Sequence, residues 1–118
     1  MDHGKRNELI DEYFRAMDEE TFADFADVFA DDVEYRYPSE QDMHGVSAVR
    51  EFFEEHREHS NSTHKILRRV ADESVTVCEG TVTADRPDGG TLEAAFVDVF
   101  EFDDEVEQID HVGVYTRA

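Results

Sequence analysis

From about residue 64 to residue 116 the chain reads as strand after strand, and this run narrows the fold more than any other feature. Strands over about 64–71, 75–84, 91–102 and 106–116 are separated by Asp72-Glu73, by Asp85-Arg86-Pro87-Asp88-Gly89-Gly90 and by Asp103-Asp104-Glu105. Clusters of Gly, Pro and Asp between β-branched and aromatic runs are hairpin signals, so the second half predicts an antiparallel meander. The first half has another period. Leu9, Ile10, Tyr13, Phe14 and Met17 share one face of a helix over roughly 5–17, and Asp18-Glu19-Glu20 breaks that pattern. Thr21 with Asp24 three residues on resembles a capping box, opening a second helix to near Ala30 with Phe22, Phe25, Ala26 and Phe29 inward.

Val33, Tyr35 and Tyr37 then alternate with Glu34 and Arg36 ahead of Pro38, which predicts a short half-buried strand followed by a loop over 38–45. Ser47 is placed to cap a third helix over roughly 48–59, with Val49, Phe52, Phe53 and His56 inward, closed by Ser60-Asn61-Ser62-Thr63. Helix, helix, strand, helix and four hairpin strands make an α+β fold. One curved antiparallel sheet should pack three helices on a single face, within one domain over 1–118. A bent sheet with helices on its concave side leaves room for a pocket.

Charge decides which partners are open to such a domain. The 118 residues carry 31 Asp or Glu against 11 Lys or Arg, a net charge of −20. Nucleic-acid binding needs cations that displace the phosphate counterions, and an anionic bilayer needs basic clusters. Neither partner is expected. Leu, Ile, Val and Phe supply 28 of the 118 residues, enough to fold. With no apolar leader at Met1–Glu8 and no long apolar run, the expected location is cytoplasmic. Nine of the basic residues are Arg and only Lys5 and Lys65 are Lys, while the negative charge is spread as −12 over residues 1–59 and −8 over 60–118. That spread fits a surface adapted to concentrated salt, a halophilic acidic protein, better than a mimic of nucleic acid.

Asp98 is the residue that most suggests chemistry, because it interrupts Ala94-Ala95-Phe96-Val97-Asp98-Val99-Phe100, where both strand faces are apolar. A carboxyl placed there is buried on either face, and an unpaired buried carboxylate holds its proton or accepts hydrogen bonds. Tyr13 lies on the first helix's apolar stripe with a hydroxyl that needs a partner, and Tyr35 and Tyr37 direct two phenols to one region. His111 shares a predicted face with Ile109 and Tyr115 and is the candidate general base, with His64 a weaker one. His56 and His59 near Glu55 read as solvated, and the chain has no zinc signature, phosphate-cradling glycine loop or nucleophile elbow. Cys78, the one cysteine, reads as a small core residue in a Val-rich strand.

The order of elements, the stretch Phe29-Ala30-Asp31-Asp32-Val33 leading to Tyr37-Pro38, and Gly45-Val46-Ser47-Ala48-Val49-Arg50-Glu51-Phe52-Phe53 resemble the nuclear transport factor 2-like superfamily. Within it the chain looks most like the SnoaL-like polyketide cyclases and the ketosteroid isomerases. The resemblance implies a cone-shaped α+β barrel with an apolar pocket at its wide end, and a homodimer formed through the sheet. Ketosteroid isomerases hold an enolate oxygen between a helix-one tyrosine and a protonated late-strand aspartic acid, which correspond here to Tyr13 and Asp98. Their catalytic carboxylate, just before a proline, corresponds to Tyr37, and a phenol is a poor base near neutral pH. SnoaL-like cyclases draw acid and base from other strands, which leaves His111 or His64 to serve. The resemblance thus implies an isomerase, cyclase or dehydratase with no metal or redox cofactor. Its substrate would be a small hydrophobic carbonyl compound lined by Tyr35, Tyr37, His64, Phe53 and Phe100. The alternative is a dimeric pocket that binds such a ligand without turning it over.

Overall fold

The expected helix stripe and strand alternation meet in a computed structural model that describes residues 1–117. Helix α1 spans His3–Glu19, longer at both ends than its apolar stripe. Asp2 caps it by accepting the Lys5 N–H at 2.8 Å, which satisfies one of the donors that a helix start leaves open. A 3-10 turn over Phe22–Asp24 runs into the short α2, Phe25–Val28. The Thr21 side chain makes no capping bond, since Asp24 turns instead to Arg15 at 2.9 Å. Ala26, expected inward, is exposed.

Strand β1 spans Phe29–Arg36, four residues earlier than alternation alone predicts. Phe29 suits a helix face or a strand equally, and its pairing with Ile109 of the last strand decides for the strand. The expected loop over 38–45 contains a two-residue strand β2, Met43–His44, that returns antiparallel onto β1. Helix α3 covers Val46–Glu51, and its N-cap is Gly45, not Ser47. Gly45 has φ of +91°, a conformation that L side chains rarely adopt, and its N–H donates to the Val33 carbonyl at 2.7 Å. The helix then widens into a π turn over Phe52–His56, closed by the Arg57 N–H on the Phe52 carbonyl at 2.9 Å. His56 is exposed rather than inward.

The long strands follow as β3 (Ser60–Ala71), β4 (Val75–Asp85), β5 (Thr91–Asp103) and β6 (Gln108–Arg117). Ser60–Thr63, expected to end the third helix, begins β3 instead. Its Asn61 N–H and Ser62 hydroxyl bond to Glu20 and Asp18 at the end of α1, which fixes this segment as strand. The sheet order is β2-β1-β6-β5-β4-β3, curved and unclosed, and antiparallel except where β1 runs parallel to β6. The three helices pack against it over a core of Ile10, Tyr13, Phe14, Phe25, Phe29, Val49, Phe53 and Phe100. Cys78 is fully buried, as expected of a core residue.

Gly80 marks the tightest point of this packing. A Cβ there would lie 2.0 Å from the Lys65 carbonyl oxygen and 2.9 Å from the Phe96 ring. Backbone on the neighbouring strand has little room to retreat, so Gly80→Ala should destabilise the fold by about 1–3 kcal/mol, read as a lower urea midpoint. An unchanged midpoint would show that β3 and β4 are less closely packed than this.

Candidate active site

Between helices and sheet lies a cavity of about 470 Å³, within the size range of small-molecule sites. Its β5 wall consists of the alternating residues Leu92, Ala94, Phe96 and Asp98. Asp98 is the innermost of them, because Phe100, next on the same face, is fully buried and does not reach the cavity. Ala84 and Ala94 keep the wall thin where larger residues would fill the space. Elsewhere around it, α1 contributes Tyr13 and Met17, β1 contributes Tyr35, the residue just past β1 is Tyr37, and the π turn contributes Phe52 and His56, followed by Arg57. The wider i→i+5 turn rotates Phe52 onto the cavity and sends Phe53 into the aromatic core, where it contacts Phe22, Phe25 and Tyr35. Phe53 and Phe100 are therefore core, correcting the expectation that they line the site.

Asp98 is 2 % exposed, and its Oδ1 has no hydrogen-bond partner. Burial, with nothing to stabilise the anion, pushes its pKa up to about 8, so it carries a proton at neutral pH. Tyr13 and Tyr35, also almost fully buried, bond phenol to phenol. Burial raises both phenols well above their ordinary pKa, and a charge on Asp98 would raise both further. All three groups are thus neutral and close enough to sense one another. One phenol donates to the other, which leaves the second hydroxyl hydrogen free, so the cavity floor holds two uncharged donors, one phenol and one carboxylic acid.

Three imidazoles line this cavity, His56, His59 and His64, and of these His64 is the one held by a carboxylate within hydrogen-bond distance. Its Nδ1 lies 2.5 Å from Asp18 Oδ1, and its backbone N–H donates to Asp18 Oδ2 at 2.9 Å, as does the Ser62 hydroxyl to Oδ1 at 2.9 Å. Burial raises the Asp18 pKa, but these bonds from His64 and Ser62 outweigh it and hold the carboxyl below its ordinary value. The ring is packed between Phe14 and Phe96, at centroid distances of 5.2 and 5.3 Å. With Nδ1 committed to a carboxylate, Nε2 is the nitrogen left for a ligand.

His111, the expected base, is elsewhere. Glu101 pairs with His111 and Phe102 with Ile109, so Asp110 is an extra residue in β6. A bulge of this kind reverses the face of every residue beyond it. Ile109 therefore points into the core, while His111 is outside beside Glu101 at 3.5 Å, in an acidic hollow with Asp32, Glu34 and Asp110. Asp18, which sequence reasoning read only as part of a break, does carry a signal. It stands four residues after Phe14 and so continues the inward stripe of α1.

A model of the SnoaL-like domain matches residues 10–110. The chain belongs to the SnoaL-like family. Solved structures agree on the fold. An NTF2-like protein from Burkholderia pseudomallei superposes with a TM-score of 0.85 at 15% identity, covering 96% of this chain and 91% of that one. One from Anabaena variabilis gives 0.83 at 15% identity, covering 100% and 95%. An LEH-like epoxide hydrolase from M. tuberculosis gives 0.81 at 18% identity, covering 97% and 84%. No curated protein matches the chain in sequence. The SnoaL-like fold thus accounts for the cone of sheet and helices.

Proposed function

We propose that this SnoaL-like protein is an enzyme that moves a proton beside the carbonyl group of a small, largely apolar compound, in an isomerisation, cyclisation or dehydration. The observation that carries the reading is the buried, unpartnered Asp98 carboxyl at the cavity wall beside the Tyr13–Tyr35 pair. A donor that is already neutral and desolvated costs no reorganisation when charge develops on a carbonyl oxygen. His64 Nε2 takes the proton as the C–H bond breaks, and the electron pair moves onto the carbonyl oxygen to give an enolate held by Asp98 and the free phenol hydrogen. The imidazolium, stabilised by Asp18, then returns the proton to the new position or to a leaving group. Tyr37 and Phe52 would orient the apolar body of the substrate.

Hydrogen–deuterium exchange at the carbon beside the carbonyl of 2-tetralone, followed by proton NMR in D2O, tests this directly. The wild-type protein should accelerate exchange at least about 100-fold over buffer, and Asp98→Ala should remove most of that gain. Binding without any acceleration would favour the second reading, a pocket that holds such ligands unchanged. Tyr37, standing where the ketosteroid isomerases carry their carboxylate base, supports that alternative.

A further inference from the structure

Among the described residues, Arg6, Arg15, Arg36, Arg50, Arg68 and Arg69 each have a carboxylate within 4.0 Å. Arg57, Arg86 and Arg117 do not, and in a chain with a net charge of −20 Arg57 alone of these three is not exposed. Its guanidinium lines the cavity, and its Nε and Nη1 are both buried without a hydrogen-bond partner. The side chain is not loose. Its Cζ stacks 5.6 Å from the centroid of the buried Phe53 ring, and the π turn that ends at its own N–H sets where it leaves the backbone. The phenol of Tyr37 lies beside it. Glu40 and Glu58 stand at the same cavity and are exposed, yet neither comes within ion-pair distance.

Leaving two guanidinium nitrogens desolvated and unpaired is unfavourable, and abundant surface acid has not relieved it. A carboxylate can satisfy one of these nitrogens together with the neighbouring Nη2, along the Nε–Nη2 edge or across the Nη1–Nη2 end, because it is a planar anion with two acceptor oxygens. We propose that the ligand of this cavity is an apolar compound bearing a carboxylate, which Arg57 clamps at the mouth while the rest of the molecule extends inward toward Asp98. This deepens the function proposed above and rests on it, since it names the substrate class as an acid with an enolisable carbonyl. The carboxylate fixes the distance and direction from which the carbonyl reaches the donors at the floor.

Isothermal titration calorimetry with 1-naphthylacetate and its uncharged methyl ester, in 1 M KCl, tests the inference. At that ionic strength screening acts within about 3 Å, so the overall negative charge of the protein no longer repels the acid. The acid should bind at least about tenfold more tightly than the ester, a preference that Arg57→Leu should abolish and Arg57→Lys should partly keep. The readout is the ratio of acid to ester affinity within each protein, and an unchanged far-ultraviolet circular dichroism spectrum reports that the variants are folded. Equal binding of acid and ester by the wild type would overturn the carboxylate assignment and leave the proton-transfer reading standing. Binding of neither compound would likewise overturn the carboxylate assignment, while exchange of 2-tetralone tests the proton-transfer reading independently.

Discussion

Replacing Asp98 by Asn should stabilise the protein at pH 7 by on the order of 4 kcal/mol, and this gain should vanish near pH 4. The sign follows from the raised folded pKa, about 8 against 3.8 for the ordinary group. Between those values the unfolded chain releases the proton and the folded one keeps it, so wild-type stability falls as pH rises through that window. Every tenfold difference in proton affinity between the two states corresponds to about 1.4 kcal/mol, and Asn, which never ionises, escapes the whole difference. Urea titrations of both proteins from pH 4 to 9 check this, because other groups cancel in the comparison. A constant difference across the range would mean that Asp98 is charged in the folded state. A cost of this size is a large part of the roughly 5–15 kcal/mol that holds a typical domain together. Retaining it makes sense at a site where the acid's hydrogen is used.

His64→Gln should lower the rate of 2-tetralone exchange by about 10²- to 10⁴-fold while leaving the affinity for the ketone nearly unchanged. Glutamine keeps a polar side chain of comparable length but cannot take up a proton near neutral pH. Asp18→Asn should lower the rate as well, by a smaller factor, since it removes the charge that stabilises the imidazolium but spares the ring itself. Because the Asp18 pKa is depressed in the fold, its support of His64 is present above the ordinary carboxylate range and is lost only as pH falls through the lower folded value. Rates measured alongside ketone affinity separate this from simple loss of the pocket. Full activity in His64→Gln would remove His64 as the base and leave the donor groups to be matched with another.

The helices and strands were legible wherever burial repeats cleanly. The stripe from Leu9 to Met17 placed Tyr13 on the inner face, and alternation through Val33 and Tyr35 placed the second phenol. Asp98 stood out because apolar neighbours on both strand faces left it no exposed side. Two local irregularities and two long-range contacts hid the rest. The π turn exchanged the roles of Phe52 and Phe53, since a pattern built on about 3.6 residues per turn cannot register a widened one. The extra residue Asp110 in β6 reversed the face of His111, and nothing about an aspartate between Ile109 and His111 announces a bulge. Asp18 and His64 are joined only by packing of the end of α1 on β3, across a separation of 46 residues. Propensity at Phe29 was ambiguous between helix and strand, and a parallel partner distant in sequence resolved it.

Donation from Asp98 requires an uncharged acid facing a hollow, and the titration of that one side chain measures it most directly. With aspartate carboxyl carbons labelled with carbon-13, the Asp98 signal should hold its protonated shift through about pH 6 and move with a midpoint near 8. Binding of an enolate mimic such as 2-naphthol should perturb it. A midpoint near about 4, or a signal that does not respond to 2-naphthol, would contradict the assignment of Asp98 as the hydrogen-bond donor of the site.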